Sequence, residues 1–217
     1  MGKENRTENG ADSAYIPRTR HLLEFSMAEQ LEHGRMVSNL AYHIGCELGM
    51  DEEQRRNLII AGLFHDIGKT ELEKIYNISD ESALLVEEMN SVRLHPNKGY
   101  EILKRHGYNE EICQAVLYHH ENFDGSGFPD NLEGWSIPLD ACILRVCDLF
   151  CSLVTNRPYR SAFSGKAAIE MMIERIQIFD IKVFLAFQRI VHVDDKGTIG
   201  LPETAEEVRG VWGAVWN

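Results

Sequence analysis

From His21 to Val193 the apolar residues return at helical spacing, and no stretch shows the strict alternation of a half-buried strand, so the chain is restricted to helices. Between His21 and Gly49, Leu22, Phe25, Leu31, Val37, Leu40, Ile44 and Leu48 recur at that spacing, and Gly49 suits the left-handed residue beyond a helix end. Asp51 with Gln54 reads as a capping box opening a second helix through Phe64. Ser79 or Asp80 caps a third, to about Val92, and His95-Pro96 breaks the chain before a short helix that stops near Gly107. Asn109, followed by Glu110 and Glu111, starts another through His120. Leu139 to Thr155 is strongly apolar and ends before Arg157-Pro158, because proline cannot continue the hydrogen-bond ladder. Two more helices run from about Ser164 to Ile178 and from Asp180 to Val193. The expected fold is one all-α domain of about eight helices, with residues 121–138, rich in Gly125, Gly127, Pro129 and Gly134, forming a long loop.

Residues 1–20 read as a flexible lead-in, 21–193 as the domain, and 194–217 as a turn followed by an amphipathic tail. In that tail Val208, Val211, Trp212, Val215 and Trp216 fall on one face, which docks on the domain's own core, on a second copy or on a partner protein. The 217 residues, 44% hydrophobic, are ample for a continuous core. With 22 basic against 34 acidic residues the net charge is −12, which argues against general binding to a nucleic-acid polymer or an anionic membrane. No apolar run approaches the ~18 residues of a membrane span, and the first twenty residues lack a signal peptide's apolar core, so a cytoplasmic protein is expected. The five cysteines, Cys46, Cys113, Cys142, Cys147 and Cys151, read as reduced and mostly buried.

Five of the nine histidines, His33, His65, His95, His119 and His120, stand at helix ends or beside helix breakers, where separate helices converge. Imidazole and carboxylate side by side in His65-Asp66 suit divalent iron or manganese, and Lys69, one turn on, meets a phosphate as a point charge. The adjacent His119 and His120 point about 100° apart on a helix, so two metal sites can share one turn. Asp66 or Asp148 is placed to bridge two ions.

The run His65-Asp66-Ile67-Gly68-Lys69 resembles the signature of the HD superfamily of metal-dependent phosphohydrolases. The segment from His119 to Pro129, His119-His120-Glu121-Asn122-Phe123-Asp124-Gly125-Ser126-Gly127-Phe128-Pro129, is similar to the hallmark of its HD-GYP branch, which breaks down cyclic di-GMP. Leu94 to Tyr100, Val146-Cys147-Asp148 and Arg157-Pro158-Tyr159-Arg160 follow in that branch's order, over roughly residues 25 to 190. The resemblance implies metal ligands at His33, His65, Asp66, His95, His119, His120 and Asp148, with Glu29, one turn before His33, as the added ligand of three-metal members. It therefore implies two or three divalent ions, iron or manganese first and nickel or zinc as alternatives. Asp66 and Lys69 are the expected catalytic residues, Lys69, Arg157 and Arg160 the phosphate and base contacts, and Gly125, Gly127, Phe128 and Pro129 the substrate mouth. Glu121 and Asp124 are expected to support a ligand histidine. Phe128 stands where the branch has tyrosine, Thr70 to Ile78 departs from its usual segment, and Cys151 replaces a usual aspartate.

Two ions ~3.5–4 Å apart hold a bridging water, lower its pKa and place it in line with phosphorus. The expected function is hydrolysis of cyclic di-GMP to linear pGpG and on to GMP. The alternatives are an HD phosphohydrolase acting on another cyclic dinucleotide or nucleotide, and a non-hydrolytic dinucleotide sensor.

Overall fold

The computed structural model describes residues 27–76, 92–157, 160–193, 199–200 and 209. The expected lead-in, the helix from 79 or 80 to 92 and the aromatic tail face lie outside the described residues, save Val92 and Arg209. The helices are α1 (Met27–Glu47), α2 (Glu52–Phe64), α3 (Lys69–Tyr76), α4 (His95–Arg105), α5 (Glu110–Tyr118), α6 (Leu139–Val154), α7 (Gly165–Ile173) and α8 (Ile181–Ile190). Short 3-10 turns occupy Gly134–Ser136 and Ile176–Ile178. Among the described residues the fold is all-α apart from one small antiparallel pair, β1 (His192–Val193) against β2 (Ile199–Gly200), with His192 opposite Gly200. Two-residue strands are too short for alternation to register in a sequence, so 192–200 read as helix end and turn.

The starts of α2, α5, α7 and α8 fall where capping residues stand. Asp51 Oδ1 accepts from the Gln54 amide at 2.9 Å while the Gln54 side chain accepts from the Asp51 amide at 3.0 Å. Asn109 Oδ1 accepts from the Ile112 amide at 2.9 Å, and Asp180 Oδ1 from the Lys182 amide at 2.7 Å. Each such cap contributes about 1 kcal/mol. Helix ends are less regular: α5 stops at Tyr118, which leaves His119 and His120 in the turn beyond it. The expected helix to Ile178 divides at Glu174 into α7 and a 3-10 turn.

Helix α6 is apolar on nearly every side and must therefore be surrounded. Ile143, Leu144, Val146, Cys147, Phe150 and Cys151 on it are fully buried, against α1, α2, α5, α7 and α8. Phe150 meets Phe187 of α8 edge to face at a centroid distance of 4.9 Å. Each large side chain so buried contributes roughly 1.5–3 kcal/mol, so the core fixes where Asp148, on the same helix, stands. Burial raises the pKa of the Cys147 and Cys151 thiols and that of Cys142 to about 12, which leaves them unreactive packing groups. Helices α1 and α2 touch backbone to backbone: a Cβ on Gly34 would stand 2.5 Å from the Leu63 carbonyl oxygen, and one on Gly62 2.8 Å from Ser38 Cα. That close approach brings His33, beside Gly34, to His65, three residues after Gly62, with ring centroids 5.2 Å apart.

Candidate metal centre

Five elements converge. Helix α1 carries His33, the turn after α2 carries His65 and Asp66, α4 opens on His95, the turn after α5 supplies His119 and His120, and α6 supplies Asp148. Gly68 permits the junction, because a Cβ there would stand 2.0 Å from the His95 carbonyl oxygen. Among the described residues two sets of ligand atoms form, the members of each within 4.8 Å of one another: Asp66, His95, His119 and His120 in one, and His33, His65 and Asp66 in the other. Asp66 belongs to both. Asp148 Oδ1 lies 3.0 Å from His33 Nε2 and 3.7 Å from His65 Nε2, beside the second set.

The main chain orients the rings. Nδ1 of His65 pairs with the Gly62 carbonyl at 2.8 Å, that of His119 with the Val116 carbonyl at 2.6 Å, and that of His95 with the Val92 carbonyl, in each case three residues back. A ring nitrogen that donates to a carbonyl keeps its proton there, so Nε2 presents a lone pair. Nε2 of His95 and of His119 then face each other at 3.2 Å, and the His95 atom stands 3.3 Å from Asp66 Oδ1. Nε2 of His65 is buried without a hydrogen bond, 3.5 Å from Asp66 Oδ2. Lone pairs and carboxylate oxygens crowded this closely repel one another unless a cation lies among them. The donor set therefore fits divalent metal ions.

Protonation agrees with that fit at His95, His119, His120, Asp66 and Asp148, and runs the other way at His65. Burial, reinforced by Lys69 and His65 and opposed by Asp66, pushes the His95 pKa down to about 4. Burial, with His95 and Arg145 beside it, pushes His120 down to about 3. His119 is well below the ordinary value through burial and then His120. Burial alone would raise Asp66, but Lys69 first, then His65 and His95, hold it well below the usual carboxylate range. Burial is likewise outweighed at Asp148, first by the His33 ring at hydrogen-bond distance and then by the nearby His65. At His65 burial opposes the cation, yet Asp66 and Asp148 prevail and the pKa is raised. Three neutral imidazoles and two ionised carboxylates are the forms that bind metal.

The other expected residues divide. Lys69 Nζ donates to Asp66 Oδ2 at 2.6 Å, so it stands at the centre. Glu29 is exposed on α1 and belongs to neither ligand set. Phe128 stacks on His120, with ring centroids 4.7 Å apart and planes at 26°, and the Arg93 guanidinium lies 5.3 Å from the Phe128 centroid. Gly127 is needed because the loop turns back on itself there, a Cβ falling 2.3 Å from the Asn122 amide; Gly125 takes φ +78°, and Pro129 is half-buried. Glu121 and Asp124 hold the loop rather than a histidine: Glu121 Oε1 accepts from the Asp130 amide at 2.7 Å, and Asp124 Oδ1 accepts from the Ser126 amide and hydroxyl at 3.0 and 2.6 Å. Arg157 and Arg160 pair through their backbones at 2.7 and 3.0 Å, and Arg157 is half-buried. The guanidinium of Arg160 donates to the carbonyls of Ser152, Leu153 and Ser161 at 2.8, 3.0 and 3.0 Å and lies 4.5 Å over Phe163. The expectation that Arg160 contacts substrate gives way to a structural role, because the open carbonyls at the end of α6 already engage its donors.

Sequence reasoning passed over Arg145, on α6 one turn before Asp148, whose Nε donates to Asn122 Oδ1 at 2.8 Å. Its signal was a lone basic residue inside the apolar run from Leu139 to Val154.

A helical fold that gathers histidines and aspartates from five elements around one shared carboxylate defines a class of metal-site domain. Residues 17–183 match the HD domain family, and the chain belongs to it. It is 36% identical over 149 residues to a cyclic di-GMP phosphodiesterase response regulator of Xanthomonas campestris, covering 66% of this chain and 39% of the relative. It is 31% identical over 160 residues to a 3'3'-cGAMP-specific phosphodiesterase of Vibrio cholerae, covering 70% of this chain and 37% of the relative. The chain thus spans under two-fifths of the length of these relatives. The structure of a HDG"Y"P protein from Bdellovibrio bacteriovorus superposes with a TM-score of 0.59 at 17% identity, covering 76% of this chain and 54% of that one, a likeness of fold. Among the described residues no helix is long and apolar enough to cross a membrane.

Proposed function

We propose that this chain, within the HD-GYP branch, is a metal-dependent phosphodiesterase that opens cyclic di-GMP to linear pGpG and then to GMP. The observation that carries this reading is Asp66, common to two sets of ligand atoms lined by imidazole lone pairs. In this reading His95, His119, His120 and Asp66 hold one ion, and His33, His65, Asp66 and Asp148 a second. Glu29, exposed and in neither set, is the ligand a third ion would add, and this reading takes two ions as the minimum. The mixture of imidazole and carboxylate suits iron or manganese. Bound ions supply an acidic water near neutral pH and positive charge for the phosphoryl oxygens.

The chain's own residues do the rest. Carbonyls of Gly62, Val92 and Val116 keep three rings in the ligating tautomer. Lys69 holds Asp66 in place at 2.6 Å and adds a point charge beside the phosphate. Phe128 fixes the plane of His120 and closes the mouth with Gly125, Gly127 and Pro129, and Arg157 meets the substrate at its rim. The unpaired cysteines agree with a reducing cytoplasm, and the domain extends over 21–193. The second reading is a preference for 3'3'-cGAMP, favoured by the similarity to a phosphodiesterase of that specificity.

The test is anaerobic reconstitution with iron(II) or manganese(II) and incubation with cyclic di-GMP and 3'3'-cGAMP, products being identified by chromatography and mass. Metal-dependent appearance of pGpG or GMP is expected. Linear product from 3'3'-cGAMP alone selects the second reading, and both substrates intact on metal-loaded protein contradicts the phosphodiesterase.

A further inference from the structure

We propose that Arg145 is a phosphate-binding residue for the cyclic dinucleotide, its guanidinium fork preset beside the His120 and Asp148 side of the centre; this deepens the phosphodiesterase reading and rests on it. Arg145 is half-buried on α6, one turn before Asp148. The loop that follows His120 grips it by one atom: Nε donates to Asn122 Oδ1 at 2.8 Å, Asn122 Nδ2 donates to Ser126 Oγ at 2.9 Å, and Ser126 Oγ donates to Asp124 Oδ1 at 2.6 Å. Its two Nη groups have no hydrogen-bond partner among the described residues.

A half-buried guanidinium with donors to spare pairs well with an anion. Burial lowers its pKa, with Asp148 opposing, and its charge in turn helps to depress His120. Neither neighbouring carboxylate is at its disposal, since Asp148 is engaged by His33 at 3.0 Å and Asp124 by Ser126. Two of the other cations considered for substrate are differently engaged: Lys69 is paired with Asp66, and Arg160 with three carbonyls. An open pair of Nη groups on a fixed planar fork matches two oxygens of a phosphate, which a lysine does not. Asn122 sets the plane of the fork, and the ligand class is a phosphodiester anion that already touches the ions.

The experiment compares the parent with Arg145→Gln, Arg145→Lys and Asn122→Ala in the reconstituted full chain. It reads KM, kcat, the dissociation constant for cyclic di-GMP by calorimetry, metal per chain and melting temperature. Loss of a charge-assisted contact raises KM and the dissociation constant roughly ten- to a hundredfold in Arg145→Gln, with kcat changed far less and metal per chain equal to the parent's. Arg145→Lys, a charge without the fork, falls between the two. A dissociation constant within twofold of the parent in folded, metal-loaded Arg145→Gln overturns the proposal. So does Asn122→Ala reproducing the whole effect, which would make Arg145 an anchor of the loop. If the parent binds the dinucleotide without cleaving it, the phosphodiesterase reading fails while the dissociation constants still decide Arg145.

Discussion

Asp66 acts by belonging to two ligand sets and Phe128 through its stack on His120, and each was legible to a different degree. The adjacency of His65 and Asp66 is a weak signal by itself and was legible as a candidate metal site through the motifs that follow it in order along the chain. The carbonyls that aim the rings were not legible, since main-chain groups carry no letter of their own. Phe128 was legible as a departure from a motif but not as a buttress. The side chain of His120 has no hydrogen bond to a carbonyl among the described residues, so the stack at 4.7 Å sets its plane. Phe128→Ala is expected to weaken metal binding about ten- to a hundredfold, the size typical of losing an orienting neighbour, whereas Phe128→Tyr keeps the ring and stays within a fewfold. Chelator competition measures both. Arg160 illustrates the opposite error, a charged residue assigned to substrate by its motif and engaged by carbonyls in the fold. Arg160→Met is expected to lose about 1–3 kcal/mol in denaturant unfolding with metal per chain unchanged. Loss of substrate affinity at full stability would restore the motif's assignment.

At the scale of elements, starts were more legible than ends. Asp51, Asn109, Ser164 and Asp180 announce their helices by side chains that accept from amides two or three residues on. Ends depend on tertiary contacts: beyond Tyr118 the His119 ring takes the Val116 carbonyl of α5, and the loop that follows is tied to Tyr118, His120 and Ile178 by backbone hydrogen bonds. Helix α6 contains a conflict of its own. Asp140, in its first turn, has a pKa raised to about 6 by burial and by Glu111. A carboxyl whose folded pKa exceeds its ordinary 3.8 is no burden below that value, where both states are protonated. Stability then falls as pH rises through that window, because the unfolded chain releases the proton first, and the penalty is complete above about 6. Asp140→Asn is therefore expected to stabilise the protein at pH 7.5 by about 1–2 kcal/mol, after allowance for partial solvent contact, and to do nothing at pH 3. Urea unfolding at the two pH values checks the sign. An equal gain at both would trace the effect to packing.

At the scale of the molecule, the core around α6 positions five elements, and each of them turns at least one donor side chain toward the centre. The all-α class followed from periodicity alone, and the convergence of His33, His65, His95, His119 and Asp148 did not, because contacts between residues as far apart as 33 and 148 depend on Gly34, Gly62 and Gly68 letting backbones meet. Such a centre binds metal only when folded, so ions at a hundred times their dissociation constant stabilise the chain by about 2.7 kcal/mol per site. The central claim is that one carboxylate serves two ions. Metal per chain, measured after anaerobic reconstitution of the parent and of Asp66→Ala, His33→Ala and His119→Ala, tests it directly. The expected result is two ions in the parent, a selective loss of one in His33→Ala and of the other in His119→Ala, and loss of both in Asp66→Ala. Retention of one full equivalent by Asp66→Ala would contradict the shared carboxylate.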